Sequence, residues 1–223
     1  MPQARKSSAL ALFPEYGRLP GMFAREVEGL SDEILDRVRP EKSWGAWSIR
    51  VQVSHTAYIP YLFFLDLLVP ALWPDGKLPR DKSLADTGGA DRRLDPARFH
   101  AMPGLIAALA DGCALAREVL ARETPASLRR EIPRRVPRER RWANGERVAD
   151  YWENLVLPAN PDGVRRDPAD PELFHQTLGC AFRHILWEAF VHLRTIQAHK
   201  RAEGLPARAE VPEVGYIPRL AGD

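Results

Sequence analysis

Three side chains of this sequence form a set that could hold a metal ion. Glu188 and His192 are one helical turn apart, and His55 lies in an earlier segment. Two imidazoles and one carboxylate leave coordination positions free for water or substrate, as a catalytic metal site requires. We therefore predict a divalent metal at His55, Glu188 and His192, with zinc as the first candidate and nickel, iron or manganese as alternatives.

Helices are the elements that would position these ligands. Apolar residues recur at helical spacing in four parts of the chain, and no alternating β-branched run stands out. We expect a first helix from about Leu19, a second capped by Ser48, a third capped by Asp95, and a last capped by Asp170 with Pro171 at its first position. This pattern predicts an all-α fold, a four-helix bundle, in which metal sites are built from inward side chains on facing helices.

The helical period places the three ligands toward the core. His55 continues the apolar stripe of Val51 and Ile59, while Glu188 and His192 lie about 40° apart at the edge of the last helix's apolar stripe. A buried carboxylate without a partner costs several kcal/mol, so Glu188 should be protonated, paired with a cation or bound to a metal. Hydrogen-bonded core histidines and a Glu188–arginine pair remain the ordinary alternative.

Other polar residues have weaker claims to the site. His184 has the same spacing from Glu188 as His192, but it points further from the apolar face, so we expect its ring to contact a metal ligand rather than the metal, or to be solvated. Asp66 shares a helical face with His55 and is a candidate hydrogen-bond acceptor for a metal ligand. Solvated rings are expected for His100, His175 and His199. Four tryptophans could cover the mouth of the pocket or simply pack in the core: Trp44, Trp47, Trp142 and Trp152.

An arginine-rich segment precedes the last helix. Eight Arg and three Glu fall between Arg129 and Arg147, and we interpret about 125–169 as an insertion in a single domain of residues 1–223. A solvated loop is the default, with a short helix from Val148 and, as the less favoured alternative, a hairpin turn at Asn144 and Gly145. Arginine forks could also steer an anionic substrate or a cofactor carboxylate.

Composition excludes several classes of partner. The 32 basic and 30 acidic residues nearly cancel, which gives little reason to expect nucleic acid. Cys113 and Cys180 lie in apolar-periodic segments and fit free thiols in a reducing cytoplasm. The short apolar stretch near the N-terminus is too brief for a signal peptide, and the longest apolar run, Tyr58 to Trp73, is interrupted and shorter than the ~20 residues that cross a bilayer.

The same apolar run surrounds almost the whole second helix. Side chains such as Tyr58, Phe63 and Leu67 point in several directions, so one side must be covered by something beyond the local core. A homodimer interface would cover it. Coverage by the inserted segments of the same chain is the alternative.

Two short motifs resemble a known family. Trp47-Ser48-Ile49-Arg50 followed by Val53-Ser54-His55-Thr56-Ala57 resembles the second-helix motif of the DinB-like superfamily, whose last helix supplies two further ligands four residues apart. Glu188-x-x-x-His192 is most similar to the mycothiol-dependent maleylpyruvate isomerase branch, where a Glu accompanies two His. The resemblance covers roughly Leu19 to Val69 and Pro171 to Pro206.

The resemblance implies a thiol-dependent transferase or isomerase acting on a small molecule. The thiol would come from a low-molecular-weight cofactor such as mycothiol, bacillithiol or glutathione. The residues themselves also allow a metal-dependent hydrolase, a non-haem iron oxygenase, or a non-catalytic metal-binding or stress-response dimer. No catalytic or thiol-binding residue is assigned beyond the metal ligands.

Overall fold

The computed structural model describes residues 8–87, 92–142 and 145–220, which are mainly helical. A short turn of π-helix follows α3 at Phe63–Leu67, and another follows α6 at Trp152–Val156. Three strands form β1 (Glu131–Arg135), β2 (Val164–Arg166) and β3 (Leu173–Thr177). The helices are α1 (Glu15–Val27), α2 (Asp32–Asp36), α3 (Ile49–Leu62), α4 (Val69–Leu72), α5 (Met102–Arg122), α6 (Val148–Tyr151), α7 (Leu157–Ala159), α8 (Leu178–Ala202) and α9 (Ile217–Leu220).

Four helices occur where the apolar periodicity predicts them, namely α1, α3, α5 and α8. The predicted cap of α3 is confirmed, because Ser48 Oγ accepts a hydrogen bond from the amide of Val51. Three predicted helix starts are wrong, those of α1, α5 and α8. α1 begins at Glu15, so Pro20 lies inside it, and α5 begins at Met102, not at Asp95. The later start of α5 places Pro103 in its first turn, where a missing amide donor costs no hydrogen bond.

The prediction of an all-α fold is wrong for the segment before α8. Residues 173–177 form β3, the central strand of an antiparallel sheet with the order β1-β3-β2. Phe174 and Gln176 are buried on one face of this strand, an alternation that a helix would not produce. Thr177, rather than Asp170, meets the start of the helix, and its Oγ1 accepts from the amide of Cys180 at 3.1 Å.

The chain divides into two compact units, and the sheet belongs to the unit of Met1–Pro14 and Ala116–His184. All of the predicted insertion falls in this unit. It is not a loop alone, since β1, α6, α7 and β2 lie within it. The antiparallel bridge between Arg141 and Arg147 supports the less favoured hairpin turn; Gly145 there has φ 85°, and Asn144 lies outside the described residues.

Acidic partners neutralise several arginines of this unit. Arg165 pairs with Glu131, Arg147 with Asp150, and Arg135 with Asp170. Most of these side chains are exposed, so each pair contributes little to stability, on the order of 0–1 kcal/mol. Of the arginines between Arg129 and Arg147, Arg135 and Arg147 are therefore already paired with carboxylates.

The other unit consists of Glu15–Leu115 and Ile185–Asp223 and contains α1 to α4, most of α5 and of α8, and α9. α3 is buried almost throughout, and Tyr58 is 5% exposed. In the π-helical turn after it, Phe63 is 2% exposed and Leu67 is half-buried. Most of the apolar surface that suggested a dimer interface is therefore covered within one chain. No helix of the described residues is both long and apolar enough to cross a membrane.

A buried ion pair ties the C-terminal segment to this unit. The carboxylate of Glu26, which is 0% exposed, accepts hydrogen bonds from Lys200 Nζ, from Gln197 Nε2 at 2.8 Å, and from the amides of Arg208 and Ala209 at 2.7 and 2.8 Å. Lys200 exposes only 1% of its surface. Both oxygens of this buried carboxylate therefore accept hydrogen bonds, from α8 and from the chain after it.

Candidate metal centre

The three predicted ligands come together inside one unit. α3 carries His55, α8 carries Glu188 and His192 one turn apart, and one ligand atom from each lies within 4.8 Å of the others. His55 is buried, and the other two are partly buried. The prediction of which residues meet is therefore confirmed by the geometry, whereas the identity of an ion is a separate question.

The hydrogen bonding of His55 determines which of its nitrogens can bind a cation. Its Nδ1 lies 2.6 Å from the backbone carbonyl oxygen of Arg92. A carbonyl can only accept, so Nδ1 carries a hydrogen and donates it. In the neutral ring the other nitrogen, Nε2, then presents a lone pair.

That lone pair faces the carboxylate of Glu188. The distance from His55 Nε2 to Glu188 Oε1 is 3.1 Å. Two acceptor atoms at this distance repel each other unless a cation lies between them. The cation is either a proton, which gives an imidazolium–carboxylate pair, or a metal ion shared by both side chains.

His192 distinguishes this cluster from a simple ion pair. Its Nδ1 donates to Oε1 of Gln52, which leaves its Nε2 as a second imidazole lone pair. Loss of hydration lowers the pKa of His192 to about 3, and a protonated His55 would act in the same direction, whereas Glu188 acts in the opposite one. A neutral imidazole is the form that binds a metal.

One pair of the candidate ligands has a spacing close to that around a divalent cation. Two ligands at zinc distances in a tetrahedral site lie about 3.4 Å apart, close to the 3.1 Å between His55 Nε2 and Glu188 Oε1. In metal sites the non-ligating nitrogen of each histidine usually donates to an oxygen acceptor, which holds the ring in place. The Arg92 carbonyl and the Gln52 amide oxygen are such acceptors.

Trp47 forms one wall of the site. Its ring is nearly parallel to that of His192, with 6.0 Å between centroids and an angle of 13°, and its centroid lies 4.9 Å from that of His55. His199 Nε2 donates to the backbone carbonyl of Trp47 at 2.9 Å. The prediction of a tryptophan beside the site is thus met by Trp47. Trp44 instead packs against His199 at 4.8 Å.

The remaining candidates lie elsewhere. His184 is buried, not solvated, and its ring contacts Tyr151 and Trp152 in the unit that contains the sheet. Asp66 is exposed, which does not fit a buried hydrogen-bond acceptor for a metal ligand. His100 is exposed, as predicted. Two predictions of a solvated ring are wrong, because His175 pairs with Asp167 and His199 is 1% exposed.

Two residues of the site were missed by sequence reasoning. Gln52 lies on α3 one turn before His55, so the helical period could have identified it as a neighbour. Arg92 carries no such signal, because it lies between elements and contributes a backbone oxygen rather than a side chain. Only the tertiary structure brings that carbonyl to His55.

Replacing Gln52 tests the role of the hydrogen bond to His192. Gln52→Leu replaces the amide by an apolar side chain of similar volume and leaves the Nδ1 hydrogen of His192 without its acceptor. We expect a loss of roughly 10- to 100-fold in zinc affinity, measured by competition with a chelating dye. Thr56→Val is the matched control, because Thr56 is also buried on α3 and its hydroxyl bonds only within the helix, to the Gln52 carbonyl. Equal affinities of both variants would contradict the role of Gln52.

Comparison with known proteins does not identify the chain: no protein-family model, curated protein or solved structure matches it. The functional assignment therefore depends on the chemistry of the site itself.

Proposed function

We propose that this protein is a metal-dependent enzyme that uses a divalent ion, zinc in the first place, held by His55, Glu188 and His192. The single observation that carries the proposal is the convergence of three potential ligand atoms: His55 Nε2 lies 3.1 Å from Glu188 Oε1, and a ring nitrogen of His192 lies within 4.8 Å of ligand atoms of both. A proton would satisfy the first pair alone. A divalent ion would satisfy all three side chains.

The proposed reaction is thiol-dependent transfer or isomerisation of a small molecule, in a four-helix bundle of the DinB-like type. When bound, a divalent cation acts as a Lewis acid that lowers the pKa of a coordinated water or thiol. The residues of this chain would hold and orient the site: Arg92 and Gln52 fix the two imidazoles, and Trp47 covers one side. With three protein ligands, positions remain free for a reactant.

The two cysteines support an external thiol. Cys113 and Cys180 are free and buried, and burial raises the pKa of the Cys180 thiol to about 12. A thiol in that state is a poor nucleophile at neutral pH. A reactive sulfur would therefore come from a low-molecular-weight cofactor, and a reducing cytoplasm would suit both the cofactor and the free cysteines. A homodimer is not needed to cover α3.

A metal-dependence assay tests this function. We expect the zinc-loaded protein, purified without a nickel column, to accelerate the reaction of glutathione or mycothiol with 1-chloro-2,4-dinitrobenzene. The thiol loses its proton to solvent, its sulfur bonds to the ring carbon and chloride leaves. Glu188→Gln should remove the metal-dependent part of the rate, and His100→Ala, which changes an exposed histidine, should not.

The outcome also separates the competing function. Metal-dependent hydrolysis of p-nitrophenyl acetate without thiol consumption would favour a hydrolase, because the same ligand set can activate water. Thiol consumption at the same rate with and without metal, and in Glu188→Gln, would contradict the proposal.

A further inference from the structure

Arg92 occupies an unusual backbone conformation beside the proposed metal ligands. With φ 46°, it is the one non-glycine residue of the described ranges in the left-handed region. This conformation costs an ordinary residue on the order of 1 kcal/mol or more and persists only when its surroundings impose it. Here it accompanies the 2.6 Å contact between the Arg92 carbonyl and His55 Nδ1. The residue is therefore held at the site by its main chain.

Several arginines of the same unit pair with carboxylates: Arg50 with Asp36, Arg80 with Asp111, and Arg37 with Glu203. Among the described residues, no ion pair joins Arg92 to a carboxylate. Arg92 is half-buried, and its main chain contacts the ring of His55. Such an arginine is available for an anionic ligand.

The net charge of the site also favours an anionic ligand. Two neutral imidazoles, the Glu188 carboxylate and a divalent ion sum to one positive charge, and Arg92 adds another. A site with two net positive charges attracts an anion. Guanidinium forks match the two oxygens of a carboxylate.

We propose that Arg92 is a specificity-determining residue that binds a carboxylate of the substrate or of its thiol partner. The inference rests on the proposed function, since the reacting group would lie at the ion held by His55, Glu188 and His192. The ligand class is a small molecule that carries both a group able to coordinate the ion and a carboxylate. The carboxylate belongs either to the molecule that coordinates the ion or to the second reactant, and Arg92 would bind it in the same way in both cases.

A matched pair of thiols tests the assignment. N-acetylcysteine carries a carboxylate and N-acetylcysteinamide does not, and binding of either thiol to cobalt-loaded protein can be followed by its sulfur-to-cobalt absorption. We expect the carboxylate form to bind roughly tenfold more tightly. To examine a carboxylate on the second reactant, 4-chloro-3,5-dinitrobenzoate and its amide are titrated as competitors.

Variants of Arg92 separate charge from backbone strain. Arg92→Asn removes the charge with a residue that tolerates left-handed φ, and it should abolish the preference for the carboxylate form. Arg92→Lys should retain most of it. Arg98→Asn, which removes the same charge from an exposed side chain of the same unit, should leave it unchanged.

The outcomes separate a failure of the Arg92 assignment from a failure of the proposed function. If the wild-type protein binds no cobalt, the proposed function fails and the inference fails with it. If cobalt binds but neither pair of probes shows a carboxylate preference, or the preference survives in Arg92→Asn, only the assignment of Arg92 is overturned. A preference lost in Arg92→Asn and kept in Arg92→Lys supports it.

Discussion

His192→Ala should abolish divalent-metal binding. Protein purified without a nickel column should contain about one zinc or other divalent ion per chain, because three protein ligands hold such ions tightly. Removing His192 leaves only His55 and Glu188, which can satisfy each other with a shared proton. We expect an affinity loss on the order of 100-fold or more, larger than the loss of an outer-shell partner. Elemental analysis and chelator competition measure both quantities.

The control for this experiment is His100→Ala, which removes an exposed histidine from the same unit. It should keep full metal content and full affinity. Full occupancy in His192→Ala would exclude the proposed ligand set and, with it, the metal-dependent enzyme. If the wild-type protein contains no metal after reconstitution, His55 and Glu188 form an imidazolium–carboxylate ion pair and not a metal site.

Lys200→Met should destabilise the fold by about 3–5 kcal/mol, the usual cost of leaving a buried charge without its partner. The variant leaves the carboxylate of Glu26, which is fully buried, with Gln197 and two backbone amides but without the ammonium. Urea unfolding followed by circular dichroism measures the loss. Adding Glu26→Gln to Lys200→Met should recover part of it, because the uncompensated charge is then absent.

The same carboxylate predicts the pH dependence of stability. Burial by itself would raise the pKa of Glu26, but hydrogen bonds from Lys200, Gln197 and the two amides outweigh it and lower the pKa below its ordinary value of 4.5. The stabilisation is therefore present above about pH 4.5 and is lost as the pH falls through the lower folded pKa. The double variant should lack this acid dependence.

An exposed pair provides the control for the buried one. Glu28 pairs with Arg208, and its side chain is 74% exposed, so Glu28→Gln should change the free energy of unfolding by about 0–1 kcal/mol. If Lys200→Met costs no more than Glu28→Gln, the Glu26–Lys200 pair does not hold the C-terminal segment in the way we describe.

The sequence predicted those features that depend on neighbours within about one helical turn. The stripe around His55, the four-residue spacing of Glu188 and His192, and the Ser48 cap follow from local hydrogen bonds and from the 3.6-residue period. The same reasoning failed at 170–177, where Asp170 and Pro171 look like the start of a helix. Phe174 and Gln176 instead lie in a strand, because β1 and β2, distant in sequence, supply its hydrogen bonds.

Tertiary structure decided what surrounds the ligands. His192 meets Gln52 across 140 positions of the chain, and His55 meets the Arg92 carbonyl across 37; no local pattern encodes such partners. It also decided that α3 is covered within one chain. The helical faces that carry the three ligands could thus be predicted from the sequence, because they depend on short-range periodicity. The hydrogen-bond partners of the two imidazoles and the approach of Glu188 to His55 were not, because they depend on which distant groups the fold brings into contact.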